Sequence, residues 1–165
     1  MLRCTSLNCI FPVTANPSFK QKELAYVIEQ SGAVGLFLIS EYRGNKMDEI
    51  AKEAIKGNKL LREVTGLYDR DKLYSTNKEN EPRAKVYPSD PAQIQYTSGT
   101  TGFPKGAVLT HKSLLNNAKI YSERKQISQE SVWSNFMPLF HTAGCGTGTL
   151  GCLTAACKML LIKQY

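Results

Sequence analysis

The most informative segment of the sequence is Tyr96-Thr97-Ser98-Gly99-Thr100-Thr101-Gly102-Phe103-Pro104-Lys105-Gly106. Its three glycines permit positive φ angles, which turn backbone N–H groups toward one point. Its four Ser and Thr hydroxyls can serve phosphate oxygens or a magnesium ion. Lys105 supplies a positive charge, and Pro104 stiffens the chain before it. Residues 97–106 are therefore predicted to form a loop that binds phosphate, called the phosphate loop below.

The phosphate loop differs from two common nucleotide-binding loops. The P-loop of many NTPases needs Gly-Lys-Ser or Gly-Lys-Thr at the start of a helix. Here Pro104 precedes Lys105 and Gly106 follows it. The glycine spacing also fails to match the dinucleotide-binding fingerprint. A flexible polar turn is the plain alternative, but a chance turn seldom combines glycines, hydroxyls and a Pro-Lys-Gly end.

The sequence before the loop alternates strand and helix patterns. Residues 24–31 and 47–55 repeat apolar side chains at helical spacing, with Ser18 as the expected N-cap of the first helix and Gly32 and Gly57 just beyond the two ends. The apolar run 34–39 is typical of a strand buried on both faces, and 60–67 is the next predicted strand. This order predicts an α/β fold, mainly a parallel sheet with flanking helices.

Beyond the loop the same alternation continues. The predicted elements are a strand over 107–110, a helix over 112–127, a strand over 132–137, a helix over 144–156 and a strand over 159–162. The glycines of 144–151 suit a closely packed helix face, or else leave room for an acyl chain. Residues 68–89 are polar and mixed in charge, and they predict a surface loop.

Composition narrows the choice of partner. The chain has 165 residues, a net charge of +7 and a pI near 9.2. Nucleic acid is not predicted, because acids and bases alternate between Glu41 and Lys85 and the longest basic run is the pair Arg124-Lys125. No apolar run approaches the roughly 20 residues of a membrane-spanning helix, so no transmembrane segment is predicted.

The cysteines indicate a reducing compartment. There are five, an odd number without a CxxC pair, and only two histidines accompany them, so neither a disulfide framework nor a zinc site is predicted. We expect reduced thiols and a cytoplasmic location, with peripheral membrane association or an organelle as open alternatives.

Three motifs carry a family resemblance. The phosphate loop resembles the signature of the adenylate-forming (AMP-binding) superfamily, which includes acyl-CoA synthetases, luciferases and the adenylation domains of peptide synthetases. Residues 138–144 resemble its second motif, and residues 13–17 and 23–27 resemble its upstream region. The resemblance covers nearly the whole chain and implies that residues 1–165 are part of the large N-terminal adenylation domain.

The resemblance also implies a reaction and its ligands. Family members join a carboxylic acid to AMP from ATP, with Mg2+, and usually pass the acyl group to coenzyme A. By likeness, Thr97 binds the magnesium, Lys105 neutralises phosphate charge, and His141 lies near the carboxylate; Lys105 and His141 are the candidate catalytic residues. For His141, a histidine that merely closes the turn after Pro138 remains the alternative. The other implied site residues are Ser98, Gly99, Thr100, Thr101 and Gly102 for ATP, with Thr142 and Gly144 for the acid.

The segment around His141 bears on the substrate. Residues 140–144 look more like those of fatty acyl-CoA synthetases than of amino-acid-activating domains, and no acidic residue follows Glu130 to bind a substrate amine. The chain length of the acid, the acceptor thiol and the oligomeric state are not predicted. The family's later glutamate motif, ribose-binding aspartate and terminal lysine do not occur here. We therefore expect this chain alone to be inactive, and the alternative function is a non-catalytic nucleotide-binding module or a degenerate remnant.

Overall fold

The structure is a computed structural model that describes residues 12–69, 85–97 and 102–162. The chain divides into two units. Unit 1 comprises Met1–Lys85 and Tyr96–Gly106, and unit 2 comprises Val86–Gln95 and Ala107–Tyr165. Most of the predicted surface loop, residues 70–84, lies outside the described residues.

Unit 1 opens with alternating strands and helices. Its elements are β1 (Val13–Thr14), α1 (Gln21–Ser31), β2 (Gly35–Leu38), β3 (Glu41–Tyr42), β4 (Asn45–Lys46), α2 (Met47–Ala54) and β5 (Glu63–Gly66). Strands β2 and β5 pair in parallel across α2, as predicted, with Gly35 opposite Glu63 and Leu38 opposite Gly66. The intervening β3 and β4 form a short antiparallel pair.

The core of unit 1 lies between its two helices. Leu24 and Ile28 of α1 pack with Ala51 and Ala54 of α2, and Leu36 and Leu38 of β2 pack against this cluster. The i, i+4 spacing of the leucine and isoleucine places them on one helical face. The expected burial of β2 on both faces is wrong, because the helices cover only the face of Leu36 and Leu38, and Phe37 is 53% exposed.

Local side-chain bonds move two element boundaries. Helix α1 has Lys20, not Ser18, at its N-cap, and the Lys20 N–H donates to Glu23 Oε2 at 2.7 Å. Ser18 is held in a turn instead, where its N–H donates to Asn16 Oδ1 at 2.9 Å. Strand β5 begins at Glu63 rather than 60 because Asn58 Oδ1 accepts the N–H groups of residues 60 and 61.

Glycines end the first helix as predicted but not the second. Gly32 follows α1 with φ +68°, the left-handed conformation that glycine adopts without strain. Helix α2 ends at Ala54, and Gly57, also at positive φ, lies in the turn beyond.

Two strands flank the phosphate loop. Strand β6 (Pro91–Thr97) leads into it and β7 (Lys105–Thr110) leaves it, and the two are neighbours in a sheet of order β1-β6-β7. The strand predicted over 107–110 is thus longer and begins at Lys105 itself.

Unit 2 continues after β7. Its further elements are α3 (His111–Arg124), β8 (Val132–Asn135), a π-helix (Ala143–Leu150), α4 (Gly151–Ala155) and β9 (Lys158–Leu161). Strands β8 and β9 pair in parallel. Helix α3 ends before the predicted 127 because Gln126 takes a positive φ and the Ile127 N–H returns to the Ser122 carbonyl at 2.9 Å. The predicted helix over 144–156 is a π-helix followed by a short α-helix. Within the described residues, no helix has the length and hydropathy needed to cross a bilayer.

Helix α3 begins with a reciprocal cap that can be tested. The Ser113 N–H donates to Thr110 Oγ1 and the Thr110 N–H donates to Ser113 Oγ, both at 3.1 Å. We expect Thr110→Ala to lower the free energy of unfolding by about 1 kcal/mol, since the helix loses one side-chain acceptor. Thr110→Ser is the matched control and should unfold at nearly the same urea concentration as the unchanged chain. Equal stability of the Ala and Ser variants would contradict this role.

Candidate functional site

The described ends of the phosphate loop lie close together. The Thr97 hydroxyl donates to the Lys105 carbonyl at 3.4 Å, which links the end of β6 to the start of β7. The Thr97 and Lys105 side chains are exposed, and Gly102 has φ +102°, a conformation that favours glycine. Pro104 is buried, whereas Phe103 and Lys105 on either side of it are exposed. The predicted ATP ligands Ser98, Gly99, Thr100 and Thr101 lie outside the described residues.

Thr97 is chemically suited to a magnesium ion. Its hydroxyl oxygen donates to a carbonyl, so its lone pairs stay available to a hard cation. Among the residues that the structure describes, no group of three His, Cys, Asp or Glu side chains is placed to hold a metal.

Tyr96, the residue before the loop, is buried and protonated. Its side chain is 8% exposed, and its hydroxyl donates to Gln30 Oε1 of α1 at 2.5 Å. Burial raises the pKa of this phenol, and the nearby Tyr26 hydroxyl raises it further. The phenol consequently stays neutral around pH 7 and remains a hydrogen-bond donor.

His141 closes a turn in unit 2. Its N–H donates to the Pro138 carbonyl at 3.0 Å, and its own carbonyl accepts the Gly144 and Cys145 N–H groups at the start of the π-helix. The Ala143 N–H donates to His141 Nδ1 at 3.1 Å, so the neutral imidazole carries its proton on Nε2. The imidazole is exposed. These bonds close the turn after Pro138, and in this tautomer the Nε2–H is a donor suited to an anion.

Glycines allow the π-helix to pack closely. A Cβ at Gly144 would lie 2.2 Å from the Pro138 carbonyl oxygen, and one at Gly148 would lie 2.8 Å from Asn135 Nδ2. A Cβ at Gly151 would lie 3.2 Å from Ser122 Oγ, which donates to the Gly151 carbonyl. Close packing of this face is therefore confirmed, and at these three glycines protein atoms fill the space that the alternative assigned to an acyl chain.

A buried glutamine pair was not predicted from the sequence. Gln93 Nε2 donates to Gln95 Oε1 at 2.7 Å, and Gln95 Nε2 donates to the Phe140 carbonyl at 2.6 Å. Gln93 also approaches Cys145 Sγ at 3.7 Å. The two amides lie on one face of β6 and attach it to the residue before His141. The alternation of glutamines at 93 and 95 is the available signal, but it does not reveal their partner.

Asn135 supports the same segment from β8. Its side chain is buried, and Nδ2 donates to the Gly144 carbonyl at 3.1 Å. Its Oδ1 has no hydrogen-bond partner among the described residues and lies against Gly148. This contact explains why residue 148 must lack a side chain.

The described cysteines are free thiols with a packing role. Cys145 and Cys157 are half-buried, and Cys152 is buried. Burial, followed by a hydrogen bond with Cys157, raises the pKa of the Cys152 thiol to about 11. Cys152 therefore stays protonated at neutral pH and behaves as a small apolar residue.

The family follows from comparison with known proteins. Residues 5–165 match the AMP-binding enzyme family, and the chain belongs to that family. The resemblance of the three motifs is thereby confirmed.

The chain is similar in sequence to acyl-CoA synthetases and ligases, and similar in fold to solved structures of adenylate-forming enzymes. The chain is 30% identical to the acyl-CoA synthetase candidate YngI of Bacillus subtilis, covering 93% of this chain and 33% of YngI. It is 27% identical to the human mitochondrial medium-chain acyl-CoA ligase ACSF2, covering 92% and 30%. The crystal structure of ATP-bound MatB from Rhodopseudomonas palustris superimposes with a TM-score of 0.71 at 26% identity, covering 92% and 30%. The predicted α/β fold of an N-terminal adenylation domain is confirmed, and the chain spans about a third of the length of these curated relatives.

Substitution of Gly144 tests the packing of the His141 turn. We expect Gly144→Ala to lower the free energy of unfolding by more than about 2 kcal/mol, because the new methyl group meets backbone carbonyls that cannot move independently. Gly146→Ala is the matched control, since a Cβ there would meet only Thr142 Cβ at 4.0 Å. Urea denaturation followed by circular dichroism measures both. A Gly144→Ala variant as stable as Gly146→Ala would contradict the packing described.

Proposed function

We propose that this chain is part of an AMP-forming acid–thiol ligase, with residues 1–165 forming part of its adenylation domain. A carboxylate oxygen attacks the α-phosphorus of ATP, the bond to the β-phosphate breaks, and pyrophosphate leaves. The thiol of coenzyme A then attacks the acyl carbon, and AMP leaves. The observation that carries the proposal is the exposed Thr97 and Lys105 pair at the two ends of the phosphate loop, in a chain of the AMP-binding family.

The phosphate loop would hold the β- and γ-phosphates. Residues 97–102 supply hydroxyls and backbone N–H groups, and Lys105 supplies the charge that offsets the leaving pyrophosphate. Mg2+ bound through Thr97 would neutralise further phosphate charge. Because Thr97 and Lys105 stand at the ends of two paired strands, they would need little reordering when charge develops.

The His141 turn would receive the acid. With Nδ1 occupied by the Ala143 N–H, the Nε2–H of His141 is the donor to the substrate carboxylate. Thr142 is proposed to line the same site. Gly144 contributes to the acid site because it lacks a side chain, which lets the turn close against Pro138.

The substrate class proposed is an aliphatic, non-amino acid. Residues 140–144 resemble those of fatty acyl-CoA synthetases, and one relative is named a medium-chain acyl-CoA ligase. We propose the cytoplasm as the compartment, on the reduced cysteines; the mitochondrial name of that relative makes an organelle the alternative.

A non-catalytic nucleotide-binding module is the second candidate. Both candidates bind ATP, but only the ligase exchanges pyrophosphate into it.

The exchange of labelled pyrophosphate into ATP distinguishes the two. The enzyme encoded by the complete reading frame should exchange in the presence of a fatty acid, and the 165-residue chain alone should not. In the complete enzyme, Lys105→Ala should lower kcat/KM for ATP by about 10- to 100-fold, because it removes a charge-assisted contact to phosphate. Lys52→Ala, an exposed lysine of α2, is the control and should leave the rate unchanged. Absence of exchange with every acid tried would favour the binding module.

A further inference from the structure

Two side chains of α1 contact residues on either side of positions 98–101 of the phosphate loop. Tyr26 and Gln30 are four residues apart, so they share one face of the helix. Gln30 Oε1 accepts the hydrogen bond of Tyr96, which precedes the loop. The Tyr26 ring lies against that of Phe103, with centroids 4.8 Å apart and planes inclined by 38°. All four residues belong to unit 1.

The helix that carries these contacts is itself fixed. Leu24, Val27 and Ile28 of α1 are buried, and two of them belong to the core shared with α2. Tyr26 and Gln30 therefore project from a rigid support. The Phe103 ring is 54% exposed, so its contact with Tyr26, rather than general burial, is what holds it in place.

The hydrogen bond from Tyr96 to Gln30 is independent of pH in the physiological range. The phenol is buried and neutral at physiological pH, and the glutamine oxygen cannot ionise, so the bond does not depend on pH in that range. One contact is thus polar and directional and the other is aromatic. Together they fix Tyr96, which precedes the loop, and Phe103, which lies within it, in relation to one helix.

We propose that Tyr26 and Gln30 are positioning residues of the nucleotide site, which hold Tyr96 and Phe103 in place before ATP arrives. The inference rests on the proposed function of the loop and adds residues outside its motif. Ordering a glycine-rich loop costs conformational entropy at the moment of binding. Fixing Tyr96 and Phe103 in advance reduces that cost, and ATP consequently binds more tightly.

A purely structural role makes a different prediction. If Tyr26 and Gln30 only stabilise unit 1, their loss lowers the unfolding midpoint without a selective effect on the loop. If they position the loop, its amides become less protected while the rest of the unit is unchanged. Amide hydrogen exchange resolves these cases because it reports on each segment separately.

The first experiment measures hydrogen exchange of residues 97–106 in this chain. We expect exchange to accelerate by roughly two- to tenfold in Phe103→Ala and Tyr26→Ala, the range that an aromatic pair supports. Tyr26→Phe keeps the ring and should exchange like the unchanged chain. Phe37→Ala is the matched control, because Phe37 is a similarly exposed phenylalanine of the same unit. Phe103 is largely exposed, so its variant should fold normally. Unchanged loop exchange in Phe103→Ala and Gln30→Ala would overturn the proposal.

The second experiment measures kinetics in the complete enzyme. Phe103→Ala and Gln30→Ala should raise KM for ATP by roughly two- to tenfold and leave KM for the acid unchanged. Equal increases in both KM values would overturn a role specific to the nucleotide. If the unchanged enzyme lacks pyrophosphate exchange, the proposed ligase function fails, and the hydrogen-exchange experiment still decides whether α1 holds the loop.

Discussion

Burial of strand β6 on both faces is the constraint on which the candidate site depends. Four consecutive residues, 93–96, are buried, although two are glutamines. Each buried polar side chain needs internal partners, because an unmade buried hydrogen bond costs about 1–3 kcal/mol. The bonds from Gln95 to the Phe140 carbonyl and from Tyr96 to Gln30 meet this need. The Tyr96 bond holds the residue just before Thr97, where the phosphate loop begins.

The His141 turn is shaped by close contact between backbone atoms. At Gly144 the chain lies so close to the Pro138 carbonyl that no side chain fits, and Asn135 fills the space beside Gly148. The Asn135 amide binds the Gly144 carbonyl within this contact. In the His141 turn glycine is needed because no side chain fits. In the phosphate loop glycine is needed for its backbone conformation, as the positive φ of Gly102 illustrates.

Features set by local chemistry were predictable from the sequence, and those set by distant contacts were not. The glycine loop, the left-handed Gly32 and the parallel pair β2–β5 follow from short-range patterns. The N-cap at Lys20 was missed because Asn16 competes for Ser18, and the glutamine bond to Phe140 was missed because it spans 45 residues. The π-helix depends on contacts with β8 and α3 that no single segment encodes. The roles of Thr97, Lys105 and His141 stay predictions.

We propose that the phosphate loop between β6 and β7 holds the phosphates of ATP. A crystal structure of the complete enzyme with ATP and magnesium tests it most directly. We expect the β- and γ-phosphates to lie within hydrogen-bond distance of residues 97–102 and of Lys105 Nζ, with the metal at Thr97 Oγ1. A nucleotide bound with its phosphates elsewhere, and this loop free of contact with them, would contradict the claim.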